Sequence, residues 1–350
     1  MKPVNELLRE NIRSLEPYHS AREHHQGGGL VYLDANENPF GRKVNRYPDP
    51  HQRALKDMLA GWVGLAPEQV FPGNGSDEVI DLLIRTFVEP HIDNLVLPDP
   101  TYGMYEVAAR VQGAEVRKVP LKEDFQPDVS AMISRVNDRT KLIFLCSPNN
   151  PTGNLVKQDH LEYLLRHFEG LVVVDEAYVE FTRTSGFLAL LKQYPNLVLL
   201  RTFSKALGMA GIRLGYALAG ESIVRILTRI KPPYNVNRLT QQMALRRGRK
   251  PERVQKLVNL IVRERARLSA FLNRCRFVEE VYPAQANFLL VRVKEPDKLV
   301  KYLKDRGIII RNRSHLTRCE RSVRITIGKP RENKRLMKLC RQFDQQYVHF

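Results

Sequence analysis

Apolar residues fall along this chain in two modes. Between about positions 69 and 216, unbroken apolar runs at 171–174 and 197–200 and further strand-like segments at 69–71, 94–97, 115–119 and 141–146 alternate with stretches of helical period such as 79–88 and 130–136. Runs that lack a polar alternate belong to strands buried on both faces, and their alternation with helices predicts a mostly parallel sheet covered on both sides. Beyond Glu221 the pattern changes. A helix at 223–230 is broken by Pro232 and Pro233, and a long helical pattern follows at 251–275. After it come strands at 287–293, 307–311 and 323–328, a helix at 296–306 and a final basic helix. This predicts a smaller α+β domain, with segments at 1–42 (N-terminal helix and arm), 43–240 (large domain) and 241–350 (small domain). In the first segment, Leu7, Leu8 and Ile12 line one side of a helix over 5–14 that is expected to dock on the small domain. Pro17 ends it, Tyr18 lies in an extended arm, and 31–33 reads as a short strand before a stretch rich in turn residues.

Ligands on a parallel sheet sit beyond the C-terminal ends of its strands, and three of the runs end in chemistry. The 197–200 run leads through Thr202, Phe203 and Ser204 to Lys205, placing an amine at the edge of a dry core. Lost hydration lowers a lysine pKa, and a neutral amine can attack a carbonyl, although a lone lysine is ordinarily just a solvated charge. The 171–174 run ends at Asp175, a carboxylate that needs a cationic partner if it is buried. The 141–146 run enters Ser147-Pro148-Asn149-Asn150-Pro151-Thr152-Gly153, a rigid turn in which Asn150 reads by itself as turn chemistry. Upstream, Gly73-Asn74-Gly75-Ser76-Asp77-Glu78 joins a strand to a helix, with Ser76 or Asp77 expected as its cap. The free amides there form an anion site, and the glycines do not match the dinucleotide-binding fingerprint.

These motifs, SPNNPTG, VVVDEAY and TFSKALGMAGIRLGY, resemble in their order the fold-type I pyridoxal-phosphate-dependent aminotransferases. LDANENPFG, RYPDP and GNGSDE narrow the resemblance to the histidinol-phosphate aminotransferase family, over essentially the whole chain from Ser14 to Gly328. The resemblance implies an α/β large domain with a mostly parallel seven-stranded sheet, a smaller α+β domain, pyridoxal 5'-phosphate as cofactor and a homodimer. It assigns Lys205 to covalent attachment of the cofactor and to proton transfer, Asp175 to the ring nitrogen, and Tyr178 with Asn150 to the ring oxygen. Gly75, Ser76, Asp77, Ser204 and Arg213 become the phosphate cradle. Tyr102 becomes the residue stacked on the ring, and Tyr47 reaches the partner's cofactor phosphate. Arg324 is expected to grip an α-carboxylate, and Arg311, with Tyr18 and Asn36, a substrate phosphate; read without the resemblance, both arginines are equally edge-strand charges in solvent. Histidinol phosphate with glutamate or 2-oxoglutarate would be the substrates. An aromatic aminotransferase or a decarboxylase of a phosphorylated amino acid would share most of these motifs.

Composition adds limits. In 350 residues, 43% hydrophobic and 27% charged content is that of an ordinary globular protein. The net charge of +18 is high, but its basic residues are spread along the chain and no nucleic-acid-binding module remains once the motifs are placed. Four dispersed cysteines show no metal spacing, and no apolar run has the length of a bilayer span. The expectation is a cytoplasmic enzyme without a metal, a membrane contact or a nucleic-acid partner.

Overall fold

The computed structural model describes residues 3–16, 31–41 and 44–347. A 3₁₀ turn at Val4–Leu7 and the short helix α1 (Glu10–Arg13) come first. The large sheet is then built from α2 (Arg53–Val63), β1 (Val70–Gly73), α3 (Ser76–Phe87), β2 (Asn94–Asp99), α4 (Met104–Val111), β3 (Glu115–Pro120), α5 (Val129–Ser134), β4 (Thr140–Cys146), α6 (Gln158–His167), β5 (Leu171–Asp175), β6 (Leu197–Thr202) and β7 (Gly215–Ala219). Its seven strands run in the order β1-β7-β6-β5-β4-β2-β3. All neighbours from β3 to β6 pair parallel, whereas β7 is antiparallel to both β6 and β1. The apolar runs are sorted by their period of two. Val173, Val198 and Leu200 face a core covered by α3 and α4, while Val172, Val174, Leu197 and Leu199 face another covered by α2 and α6.

The remainder comprises α7 (Glu221–Ile230), α8 (Arg238–Gly248), α9 (Pro251–Leu272), β8 (Val278–Val281), β9 (Phe288–Val293), α10 (Pro296–Lys304), β10 (Arg311–Asn312), β11 (Ser322–Thr326) and α11 (Pro330–Tyr347). The four strands form a separate antiparallel sheet, β10-β11-β9-β8, whose core takes Leu268 and Leu272 from α9 and Leu336 and Phe343 from α11. Helix α8 spans position 240 and places Ala244 in the large-sheet core.

Several local expectations are corrected. The expected helix over 5–14 is interrupted at Leu8 and Arg9, both extended. Arg9 pairs with Glu89 at 3.1 Å, and Val4, Leu7 and Leu8 sink into the α3 side of the large-sheet core, so this segment docks on the large sheet and not on the small domain. Residues 31–33 make no strand, and Val31 and Leu33 are exposed. The cap of α3 is Gly75, at φ +82°, with no side-chain cap, and Ser76 opens the helix. Of the strand expected at 307–311, only Arg311 pairs, together with Asn312.

Candidate active site

Three strand ends meet in one row of the sheet. Gly73 of β1 and Thr202 of β6 are both register partners of Gly215 on β7. A Cβ on Gly215 would stand 2.2 Å from the backbone nitrogen of Ser76, so only glycine lets the start of α3 settle against the strand. Glu78 fixes the same loop by accepting from the Asn74 amide and, at 2.8 Å, from Asn235. The first-turn amides of α3 have no acceptor within the helix and carry its positive dipole end. Arg213 completes this corner in a left-handed conformation at φ +51°, its Nη2 3.0 Å from the Asp77 carboxylate.

Beside it lies a cleft of about 130 Å³ lined by Ser76, Asp77, Tyr102, Cys146, Asn150, Asp175, Ala177, Tyr178, Thr202, Ser204, Lys205, Ala210 and Arg213. Gly75 borders it, since a Cβ there would stand 2.7 Å from Arg213. Burial pulls the Lys205 ammonium below its ordinary range; Asp175 opposes this fall, and the Arg324 guanidinium reinforces it. Asp175 is buried at the end of β5, and that burial pushes its carboxyl from 3.8 up to about 6. Two donors hold it: the Ala177 N–H on Oδ1 and the Tyr105 hydroxyl on Oδ2, each at 2.9 Å. Tyr178 lies with its ring centroid 5.7 Å from the Lys205 Nζ and its hydroxyl 3.5 Å from the Asn150 Nδ2. Burial raises its phenol above the ordinary value. Tyr102 donates to Asp77 at 3.2 Å and meets Tyr105 edge-on.

Arg324 reaches this cleft from the small sheet, where it is half-buried, hydrogen-bonds the Asn150 Oδ1 and stands over Phe288. Arg311 sits opposite it on β10. Tyr47 and Asn36 lie elsewhere in the chain, in a second cleft of about 560 Å³ where Tyr47 stacks on Tyr234 at 4.3 Å. Tyr18 falls outside the described residues. Sequence reasoning missed Tyr105, whose one available signal is its position in the first turn of α4, one helical turn after Tyr102.

The geometry fits pyridoxal phosphate. Among the described residues Asp175 has no cation within ion-pair distance, a costly state for a buried carboxylate that a pyridinium nitrogen would relieve. A depressed lysine and an amide-lined anion corner stand in the same cleft.

A mostly parallel sheet carrying a lysine, an aspartate and an anion corner at its C-terminal strand ends is the frame of the fold-type I pyridoxal-phosphate-dependent enzymes, and the chain falls among the aminotransferases of that class. The model for aminotransferase class I and II matches residues 31–339. The chain belongs to the histidinol-phosphate aminotransferase family within that class: it is 48% identical over 337 residues to the "Histidinol-phosphate aminotransferase" of Parabacteroides distasonis, covering 96% of this chain and 98% of the relative. Among solved structures, the histidinol-phosphate aminotransferase of Clostridium acetobutylicum superposes with a TM-score of 0.80 at 26% identity, covering 86% of this chain and 91% of that one. The L-threonine-O-3-phosphate decarboxylase of Porphyromonas gingivalis reaches 0.74 at 27% identity, covering 87% and 92%.

Proposed function

We propose that this chain is a pyridoxal-phosphate-dependent aminotransferase that interconverts histidinol phosphate and 2-oxoglutarate with imidazole acetol phosphate and glutamate, in histidine biosynthesis. The observation that carries the reading is one cleft holding both a lysine with a depressed pKa and a buried carboxylate with no cation in ion-pair distance among the described residues.

When bound, pyridoxal phosphate supplies an aldehyde and an electron-withdrawing ring. The chain does the rest. Ser76 and Asp77 offer backbone N–H groups, and Ser204 a hydroxyl, to the phosphate, beside the Arg213 guanidinium and close against Gly75. Asp175 places a negative charge at the ring nitrogen, Tyr178 and Asn150 present polar groups to the ring oxygen, and Tyr102 covers a ring face. Lys205 would hold the cofactor's aldehyde carbon through Nζ, and the same nitrogen, when free, would carry the proton taken from the donor's α-carbon. Arg324 binds the α-carboxylate of glutamate by a two-pronged ion pair. Arg311, with Asn36 and Tyr18, binds the donor's phosphate. Because Tyr47 and Asn36 lie away from Lys205 within one chain, we assign them to the site of a second copy in a homodimer. Among the described residues no helix is long and apolar enough to cross a membrane, in keeping with work in the cytoplasm on small molecules.

Purified protein loaded with pyridoxal phosphate is expected to form glutamate from 2-oxoglutarate only when histidinol phosphate is supplied, and borohydride should fix the cofactor at Lys205. Carbon dioxide release from phosphothreonine, or preferred turnover of phenylalanine, would replace the reading with decarboxylation or aromatic transamination.

A further inference from the structure

The small sheet has one face turned away from its own core. Val323 and Ile325 of β11 pack into that core with Leu289 and Val291, so Ser322, Arg324 and Thr326 point the other way. Across the ladder, Arg311 stands opposite Arg324. The Arg313 N–H donates to the Ser322 carbonyl at 2.8 Å, which continues the pairing by one residue and puts Arg313 on the face of Arg311 and Arg324. Three guanidiniums therefore share one side of a two-strand edge. Like charges across antiparallel strands repel, and none of the three has a carboxylate within ion-pair distance among the described residues.

The polar groups around them are equally unsatisfied. The Arg313 Nε, the Arg324 Nε and the Ser314 Oγ are buried and accept or donate no hydrogen bond. The backbone that carries them is nevertheless held: Asn312 donates to Asp297 at 2.6 Å and accepts from the Ser314 N–H at 2.8 Å. Burial, and then the charges of Arg324 and Arg311, pull the Arg313 guanidinium below its ordinary range, and the Tyr178 phenol is among its electrostatic neighbours. A held backbone presenting three cations on the side of the Lys205 cleft is arranged for an anion with more charge than one carboxylate. A phosphate monoester carries up to two negative charges at neutral pH and three acceptor oxygens. Arg324 alone matches a carboxylate in charge, which leaves Arg311 and Arg313 for the second kind of substrate end.

We propose that Arg313 is a specificity-determining residue that binds the phosphoryl end of the amino donor beside Arg311, and so sets the preference for phosphorylated over phosphate-free donors. This rests on the aminotransferase reading above. The test compares wild type, Arg313→Ala and Arg313→Lys as holoenzymes, in steady state with histidinol phosphate, histidinol and glutamate, and by calorimetry with inorganic phosphate. A hydrogen-bonded charge pair corresponds to an expected loss of about 10- to 100-fold, so Arg313→Ala should raise KM for histidinol phosphate by that factor. Its KM for histidinol and for glutamate should move less than about threefold, Arg313→Lys should recover part of the loss, and phosphate affinity should fall in parallel. Equal changes for both donors, or none, would overturn the proposal. If wild type used no phosphorylated donor, yet phosphate bound in a way that depended on Arg313, the donor reading would fall while the anion site stood; phosphate binding insensitive to Arg313 would remove the site as well.

Discussion

At the C-terminal strand ends of the large sheet, Asp175 has a donor on each carboxylate oxygen, Glu78 holds the loop at Asn74, and Lys205 follows a strand that is buried except at Arg201. On the β10–β11 edge, three guanidiniums share a face with no carboxylate within ion-pair distance among the described residues, and the buried Arg313 and Arg324 Nε atoms have no partner there. Among the described residues the first region has its polar groups held by neighbours, with Asp175 short of a cation, whereas the second gathers positive charge without a carboxylate. A group that stays bound through every cycle can be held by rigid strand ends, whereas substrates that come and go are met by charges left unpaired until they arrive.

The contrast between the two regions predicts unequal sensitivity. On the proposed reading Lys205→Ala takes away both the covalent anchor and the proton carrier, and should slow stopped-flow half-reactions with glutamate by at least about 10³- to 10⁴-fold. A smaller loss would mean that another base serves the site. Asp175→Asn should cost on the order of 10²- to 10³-fold in kcat, the scale of a lost electrostatic partner at developing charge. The same variant tests burial directly. In the cofactor-free protein the Asp175 carboxyl is lifted from 3.8 to about 6, so the folded state holds its proton more tightly than the unfolded chain does. Its contribution to stability is therefore full below 3.8, declines as pH rises, and is lost above about 6. Thermal melts across that window should show a shallower decline in Asp175→Asn; an unchanged slope would place the effect elsewhere.

The large sheet and the heart of the cleft are legible in the amino-acid sequence. Asp175 stands out because it closes an unbroken apolar run, whereas Lys205, five positions past the 197–200 run, is picked out by the resemblance of the motif TFSKALGMAGIRLGY. Tyr105 does not stand out, because its partner is 70 positions away and its helix places it by tertiary packing alone. Helix α8 is hidden by its mostly polar sequence, with only Thr240 and Ala244 buried. The break at Arg9 follows from a pair made with Glu89 on another element, which no local periodicity reports. Arg313 reads as one more charge in a basic stretch until the register puts it beside Arg311 and Arg324.

Two smaller effects sharpen the contrast. Gly215→Ala pushes a methyl toward the Ser76 nitrogen, and overpacking at about 1–3 kcal/mol should weaken cofactor binding by about 5- to 150-fold, as followed by absorbance titration. An unchanged affinity would show that the loop can retreat without harm. Tyr105→Phe withdraws a donor that favours the ionised Asp175, so its carboxyl should rise further. In the cofactor-free protein the pH-dependent loss of stability tied to Asp175 should move up by about one pH unit in thermal melts. A transition that stays in place would separate Tyr105 from the ionisation of Asp175.

Because β7 doubles back antiparallel beside β6, Lys205 and Arg213 ride on a single hairpin whose two ends, Thr202 and Gly215, are neighbours in the sheet. Anyone transplanting this chemistry to a new scaffold would have to move that whole finger together with its glycine seat. An insertion within it would disturb amine and guanidinium at once, so substitutions at the two positions should compound by less than the product of their separate effects.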